Sequence, residues 1–336
     1  MRVAVLALSL LMASTLPACK RARGPSLRAA APAHGHVRRH GQGPAGEALE
    51  GPLGAPPTGR DTRPVESPTI AQHVIIVSED GMRPDLLTPE LAPVHHRLMT
   101  EGAYSLRAMT LRHASTLPSH AAMLSGFDEH DHGIFWNAWR PERGFIKVPT
   151  VLEAAAGSGK GAAAFVGKWK LAHVVRPGVV DVFARPGYLC RKVVDAATQY
   201  FIDHEPQVQF VHFSDPDSLG HKDGWMSEGQ KRAVANSDGC LATLIDAIAA
   251  SPLASRTLVL VSSDHGGFGH NHSGARKEDR LIPWLAWGAG VRPGHRIAGE
   301  VSTVDTAATA LWALGHPAPS EMIGRPVKEA FRTQLQ

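Results

Sequence analysis

The chain has 336 residues, and 35 Lys and Arg against 31 Asp and Glu give it a formal net charge of +4. The surplus sits entirely in residues 1–66, with 9 basic and 4 acidic side chains, whereas residues 67–336 hold 26 and 27. The body therefore lacks the basic face that nucleic-acid binding requires, and no basic stretch interleaved with aromatics replaces it. A hydrophobic fraction of 43% and a charged fraction of 20% are globular values, so residues 67–336 are expected to form one large domain.

The N-terminus reads as an export signal over residues 1–19. Arg2 precedes an apolar run of 14 residues, Val3–Leu16, short of the about 20 that span a bilayer. Leu16-Pro17-Ala18-Cys19 is lipobox-like, with Cys19 as the residue that would carry lipid; ordinary cleavage is the other reading. Either way the mature protein is expected outside the cytoplasm, in the periplasm or cell envelope, with membrane contact only through that anchor. Residues 20–66 contain 8 Gly, 7 Pro and no aromatic residue, which predicts a disordered tether. In an oxidising compartment Cys190 and Cys240 are candidates to pair, which the sequence alone leaves open.

Along the body, strand-like runs alternate with helical ones. His73–Ser78 is β-branched, and 84–101 has helical spacing ending at Gly102. Ala162–Val166 and Gln207–Phe213 read as strands, Lys231–Ala250 as a helix with Val234, Leu241, Leu244, Ile245 and Ile248 on one side. Arg256–Val261 and Ile282–Trp287 are further strands. This alternation predicts an α/β three-layer sandwich with a mostly parallel central sheet, whose sites form beyond the carboxyl ends of the strands.

Polar clusters stand at three of those ends. Glu79-Asp80-Gly81 follows the first strand, where a turn aspartate is the plainer reading of Asp80. Asp215-Pro216-Asp217-Ser218-Leu219-Gly220-His221 follows 207–213, and a tight turn there would aim Asp217 and His221 at one metal. Ser263-Asp264-His265-Gly266-Gly267 follows 256–261, with His270 and His272 just beyond. Such oxygen and imidazole donors suit two divalent ions, zinc above all with manganese as the other fit. With 19 His in the chain, single histidines carry little weight; His95, His96, His204, His295 and His316 are read as surface or packing residues.

Thr116 lies at the start of a helical run, Thr116-Leu117-Pro118-Ser119-His120, where free amides favour an anion. It is either a nucleophile or an N-cap. Lys168 and Lys170 either reach substrate or stand in an exposed loop.

In this order, IIVSEDGMRPD (75–85), TLPSH (116–120), HGIFWN (132–137), DPDSLGH (215–221) and SDHGG (263–267) resemble the alkaline phosphatase superfamily, most closely its type I phosphodiesterase/nucleotide pyrophosphatase branch. IPWLAWGAGV (282–291) and VDTAATALWALG (304–315) resemble its closing strand and helix. The resemblance implies an alkaline phosphatase-like catalytic domain over 67–336 and a metal-dependent hydrolase of phosphate esters, phosphodiester or pyrophosphate preferred. It gives one metal to Asp217, His221 and a third His, His272 rather than His270, and the other to Asp80, Asp264 and His265. Thr116 bridges them and forms a phospho-enzyme. Asn137 is implied to contact a phosphoryl oxygen, with a turn residue as the other reading, and His132 is structural. A phosphomonoesterase or phosphonate hydrolase is the alternative. A sulfatase-like fold is shared, but sulfatases need a convertible Cys or Ser and an Arg where Thr116 and His120 stand, although Glu79-Asp80 echoes their paired acids. A catalytically inactive binding lipoprotein is the remaining alternative. The expected ligand is a small phosphate ester, and the only room for a specificity cap is 135–205, with Trp136, Trp139, Trp169 and Tyr188.

Overall fold

The computed structural model describes residues 69–273 and 276–332. The expected signal, Cys19 and the whole of the expected tether, 20–66, lie outside them. The body's elements are β1 (His73–Glu79), α1 (Pro93–Glu101), β2 (Ala103–Met109), α2 (Thr116–Ser125), α3 (Glu129–His132), α4 (Val151–Gly157), β3 (Ala162–Val166) and β4 (Val182–Ala184). They continue with α5 (Cys190–His204), β5 (Val208–Phe213), α6 (Asp215–Asp223), α7 (Glu228–Ala250), β6 (Thr257–Ser262), α8 (Lys277–Arg280), β7 (Leu281–Gly288), β8 (His295–Arg296) and α9 (Asp305–Ala313).

The strands form one sheet in the order β4-β3-β5-β1-β6-β7-β2-β8. Only β7 runs against the rest, antiparallel to both β6 and β2. The mostly parallel sheet expected from the alternation is therefore present. β1 is buried along its whole length, as a central parallel strand covered on both faces must be.

Because side chains alternate across a strand, each feeds two cores. Val74, Ile76, Phe210, Leu258 and Leu260 pack with α2, α4 and α9 on one face. Ile75, Val77, Val211, Val259 and Val261 pack with α5 and α7 on the other. Phe210 and Phe213 are fully buried, and each such side chain contributes about 1.5–3 kcal/mol.

Three expectations need correction. The helix expected over 84–101 is a 3-10 turn, Pro84–Leu86, followed by the separate α1. Pro89 and Pro93 explain the break: neither can donate a backbone hydrogen bond, and Pro93 opens the new helix. The tight turn expected around Asp217 is helix α6, with Asp217 and His221 one turn apart on the same face. Gly220 suits that helix because a Cβ there would come within 2.7 Å of the Trp225 indole. Finally, only part of 135–205 is left for a cap, since α4, β3, β4 and α5 belong to the sandwich. Cys190, opening α5, is disulfide-bonded to Cys240 in α7, which settles the pairing the sequence left open.

Candidate metal and nucleophile centre

The three polar clusters converge at the carboxyl ends of β1, β5 and β6. Asp80 follows β1, and Gly81 lets the chain turn there: its φ is +73°, and a Cβ would lie 2.8 Å from the Asp217 Cα. The Trp225 indole donates to the Gly81 carbonyl at 2.9 Å and pins this close approach. Asp217 and His221 come from α6, Asp264 and His265 from the end of β6. Asp80, Thr116, Asp217, Asp264, His265 and His272 are all buried, whereas His221 is exposed.

Around His265 the separations are short. Its Nε2 lies 3.2 Å from Asp264 Oδ2, 3.4 Å from Asp80 Oδ1 and 3.9 Å from Asp217 Oδ1. The Thr116 Oγ1 is 3.5 Å from the same nitrogen. A second group forms beside it, with His221 Nε2 at 3.3 Å and His272 Nε2 at 3.6 Å from Asp217 Oδ1. The two imidazole nitrogens are 3.1 Å apart.

Each of these histidines has its other nitrogen fixed by the main chain. His265 Nδ1 donates to the Gly266 carbonyl, His221 Nδ1 to that of His270, and His272 Nδ1 to that of Ala114. Spending Nδ1–H on a carbonyl leaves Nε2 as the electron-pair donor, the tautomer a metal ligand needs. His270 is exposed and its ring faces the His221 carbonyl, so of the two candidates His272 is the one in the cluster.

The carboxylates divide their oxygens in the same way. Lys168 ion-pairs with Asp80 Oδ2 at 2.7 Å and with Asp217 Oδ2. His212 Nε2 donates to Asp80 Oδ2 at 2.9 Å, while its Nδ1 accepts from the Gly167 amide. Asp80 Oδ1, Asp217 Oδ1 and Asp264 Oδ2, all buried, accept no hydrogen bond. These three converging oxygens and three free imidazole nitrogens form a donor set that fits two borderline-soft divalent ions. A cation is also what the electrostatics lack. Burial pushes the Asp80 carboxyl up, but Lys168, His212 and His265 outweigh it and hold that group well below the usual carboxylate range. Burial, then the Asp80 charge, push Asp264 up to about 7. One lysine thus does not neutralise three buried carboxylates.

Thr116 opens α2 and Ser115 precedes it as the cap residue, so Thr116 is the first helical residue rather than the N-cap. His120, one turn on, donates from Nδ1 to the Thr116 carbonyl at 2.7 Å and accepts from the Ser78 hydroxyl at 2.8 Å. Burial keeps it neutral, with its pKa lowered to about 4. Asn137 Oδ1 accepts from the Leu117 amide at 3.0 Å and from the Lys170 ammonium at 2.9 Å. Since both neighbours can only donate, the amide oxygen must face them, and its Nδ2 hydrogens remain for a ligand.

Other expectations resolve plainly. His132 is buried, and its Nδ1 accepts from the Ile134 amide outside the cluster. Glu79 does not join Asp80 at the site. Its carboxylate takes the His95 Nε2 at 2.5 Å and the Ser237 hydroxyl at 2.6 Å, and His95 Nδ1 reaches Asp238 at 2.7 Å. The echo of paired sulfatase acids is therefore one of sequence only, and His95 is a buried ionic residue rather than a surface one. The sequence reading missed His120 and His212 and left Lys168 undecided. Lys168 lies just past the end of β3, so the strand-end rule applied to every strand would have found it, whereas His212 lies inside β5.

The sequence profile of the family "Type I phosphodiesterase / nucleotide pyrophosphatase" matches residues 74–287. Human ectonucleotide pyrophosphatase/phosphodiesterase family member 7 is 24% identical over 233 residues, 60% of this chain and 49% of its own length. Bovine bis(5'-adenosyl)-triphosphatase ENPP4 is 24% identical over 215 residues, 57% and 47% respectively. The chain spans about half the length of the curated relatives it matches. Among solved structures, an inactive variant of murine ectonucleotide pyrophosphatase/phosphodiesterase 5 in complex with AMP superposes with a TM-score of 0.68 at 15% identity, over 78% of this chain and 100% of its own. A 2-O GAG sulfatase gives 0.65 at 16% identity, over 78% and 74%. At these identities the two structures speak for the fold alone.

Proposed function

Because the chain belongs to the type I phosphodiesterase / nucleotide pyrophosphatase family, we propose that it is a two-metal-dependent hydrolase of small phosphate esters, with phosphodiesters or pyrophosphates preferred. The observation that carries this reading is the convergence of three unbonded carboxylate oxygens and three Nε2 atoms beside a buried threonine hydroxyl. Asp217, His221 and His272 would hold one divalent ion and Asp80, Asp264 and His265 the other, with the Thr116 hydroxyl added to the donor set; zinc suits these donors. When bound, the two ions supply Lewis acidity, lowering the pKa of a hydroxyl and neutralising charge on phosphoryl oxygens.

The chain's own residues do the rest. Thr116 Oγ1, having given its proton to solvent, attacks phosphorus in line, and a Thr116–phosphorus ester forms as the bond to the leaving oxygen breaks. The leaving group departs with a proton from solvent. Water then attacks the phosphothreonine, restoring the hydroxyl and releasing the phosphorylated product. The α2 N-terminus favours the anionic hydroxyl and the Asn137 Nδ2 hydrogens are free to meet a non-bridging oxygen. His120 and His212 act through Thr116 and Asp80 as positioning residues. A threonine at position 116, together with Glu79 turned away, disfavours sulfate ester hydrolysis. We further propose that residues 1–19 export the protein to the periplasm or envelope, held by lipid on Cys19 and a tether over 20–66. The Cys190–Cys240 disulfide supports an oxidising compartment.

The test is Thr116→Ala. Turnover of bis-p-nitrophenyl phosphate should fall by about three orders of magnitude or more, with two zinc equivalents retained in the protein. Activity near wild type would refute Thr116 as nucleophile.

A further inference from the structure

Lys170 differs from its neighbour Lys168 in one respect. Lys168 spans Asp80 and Asp217, but no carboxylate among the described residues lies within ion-pair distance of Lys170. Among the described residues its ammonium donates only to Asn137, to Oδ1 at 2.9 Å and to the main-chain carbonyl at 3.5 Å. The side chain is only half exposed, and burial, with the Lys168 charge, lowers its pKa against the pull of the more distant Asp80, Asp217 and Asp264. An ammonium partly withdrawn from water and paired directly with no carboxylate is costly unless an anion joins it.

Where that anion would sit follows from the Asn137 contacts. Asn137 Oδ1 also holds the Leu117 amide, so Lys170 and Asn137 gather beside Thr116 at the start of α2. In an in-line displacement the leaving oxygen departs opposite the attacking hydroxyl. Groups beside the nucleophile therefore face the equatorial oxygens of phosphorus. In a diester one of those three oxygens is esterified and uncharged. In a monoester all three are unesterified and share two negative charges. We propose that Lys170 is a specificity-determining residue that binds the extra equatorial oxygen of a terminal phosphate, admitting phosphomonoester dianions alongside diesters. This rests on the hydrolase reading above and names a second substrate class for the same site.

The experiment compares p-nitrophenyl phosphate with bis-p-nitrophenyl phosphate on zinc-loaded wild type, Lys170→Gln, Lys170→Met and Lys170→Arg. Both neutral variants should lower the monoester-to-diester ratio of kcat/KM by about ten- to a hundredfold, and Lys170→Arg should restore most of it. Two neutral variants keep a fold defect in one from deciding the outcome. Calorimetric titration provides a readout without turnover, with inorganic phosphate weakened about tenfold more than dimethyl phosphate. If diesters are hydrolysed but the ratio stays within about twofold of wild type, Lys170 has no such role and the hydrolase reading stands. If the wild type cleaves neither ester, that reading falls, and an equal loss for both anions in calorimetry overturns the Lys170 assignment independently.

Discussion

His95 makes the stability of this domain depend on pH in a defined window. Its imidazole is fully buried between Glu79 and Asp238, both of which accept from it, so both nitrogens carry protons. Burial opposes that charge, but Glu79 and Asp238 together raise the pKa from 6.5 to about 9. Because the folded value exceeds the unfolded one, the stabilisation is complete below pH 6.5 and is lost as the pH climbs through 9. A separation of about 2.5 units corresponds to about 3 kcal/mol. For a domain of this size that is roughly 6–12 °C in Tm. The assay is thermal unfolding from pH 6 to pH 9.5 for the wild type and His95→Gln. The wild type should lose most of that margin between pH 7.5 and 9.5, while the variant starts lower and declines less. Of the other groups with large shifts, Asp215 at about 6 and His120, His132 and His272 at about 4 have finished titrating by then, as has Asp217, held well below the carboxylate range. Lys168, despite its burial, is held well above the lysine range by Asp80 and Asp217 and keeps its proton throughout. Asp264, at about 7, completes most of its change below this window. Parallel curves for the two proteins would refute a charged His95.

Three further outcomes follow from the geometry. His272→Ala should weaken zinc binding by roughly two to three orders of magnitude, whereas His270→Ala should leave it near wild type; equilibrium dialysis with zinc analysis decides, and the reverse order would overturn the ligand set. Gly81→Ala forces a Cβ onto the Asp217 backbone at positive φ. It should cost about 2–4 kcal/mol and reduce bound zinc, both absent if the turn can relax. Replacing Cys190 and Cys240 together by Ser removes a cross-link between residues 50 apart in sequence. The loss should be about 4 kcal/mol in denaturant titration, and an unchanged midpoint would contradict that value.

The sequence made the central strands and the donors legible for one reason: chemistry concentrates where apolar runs stop. β1, β3, β5 and β6 are short, apolar and bounded by turn residues, and Asp80, Asp217, Asp264 and His265 follow three of them. What escaped lies where the pattern is weak or local signals mislead. β2 sits near the sheet edge with a mixed burial pattern, and β4 and β8 span 3 and 2 residues. His212 is hidden inside the alternation that marks β5 as a strand, and His120 inside a helix signature. His95 looks like a surface helix residue until Asp238, 143 positions away, closes over it. Long-range pairings of this kind leave no trace in spacing.

The ring orientation of the three clustered histidines has a consequence for how the site tolerates mutation. Gly266, His270 and Ala114 hold the rings through main-chain carbonyls, which every amino acid possesses. Substituting His270 or Ala114 leaves the acceptor in place as long as the backbone keeps its course, whereas Gly266 is fixed, because a Cβ there would meet the Glu278 carbonyl at 2.1 Å. The orientation of the imidazoles is therefore encoded in the path of the chain and not in the identity of the residues that hold them. Sequences can drift around such a centre without losing it, and a search for covarying partners of these histidines would return little.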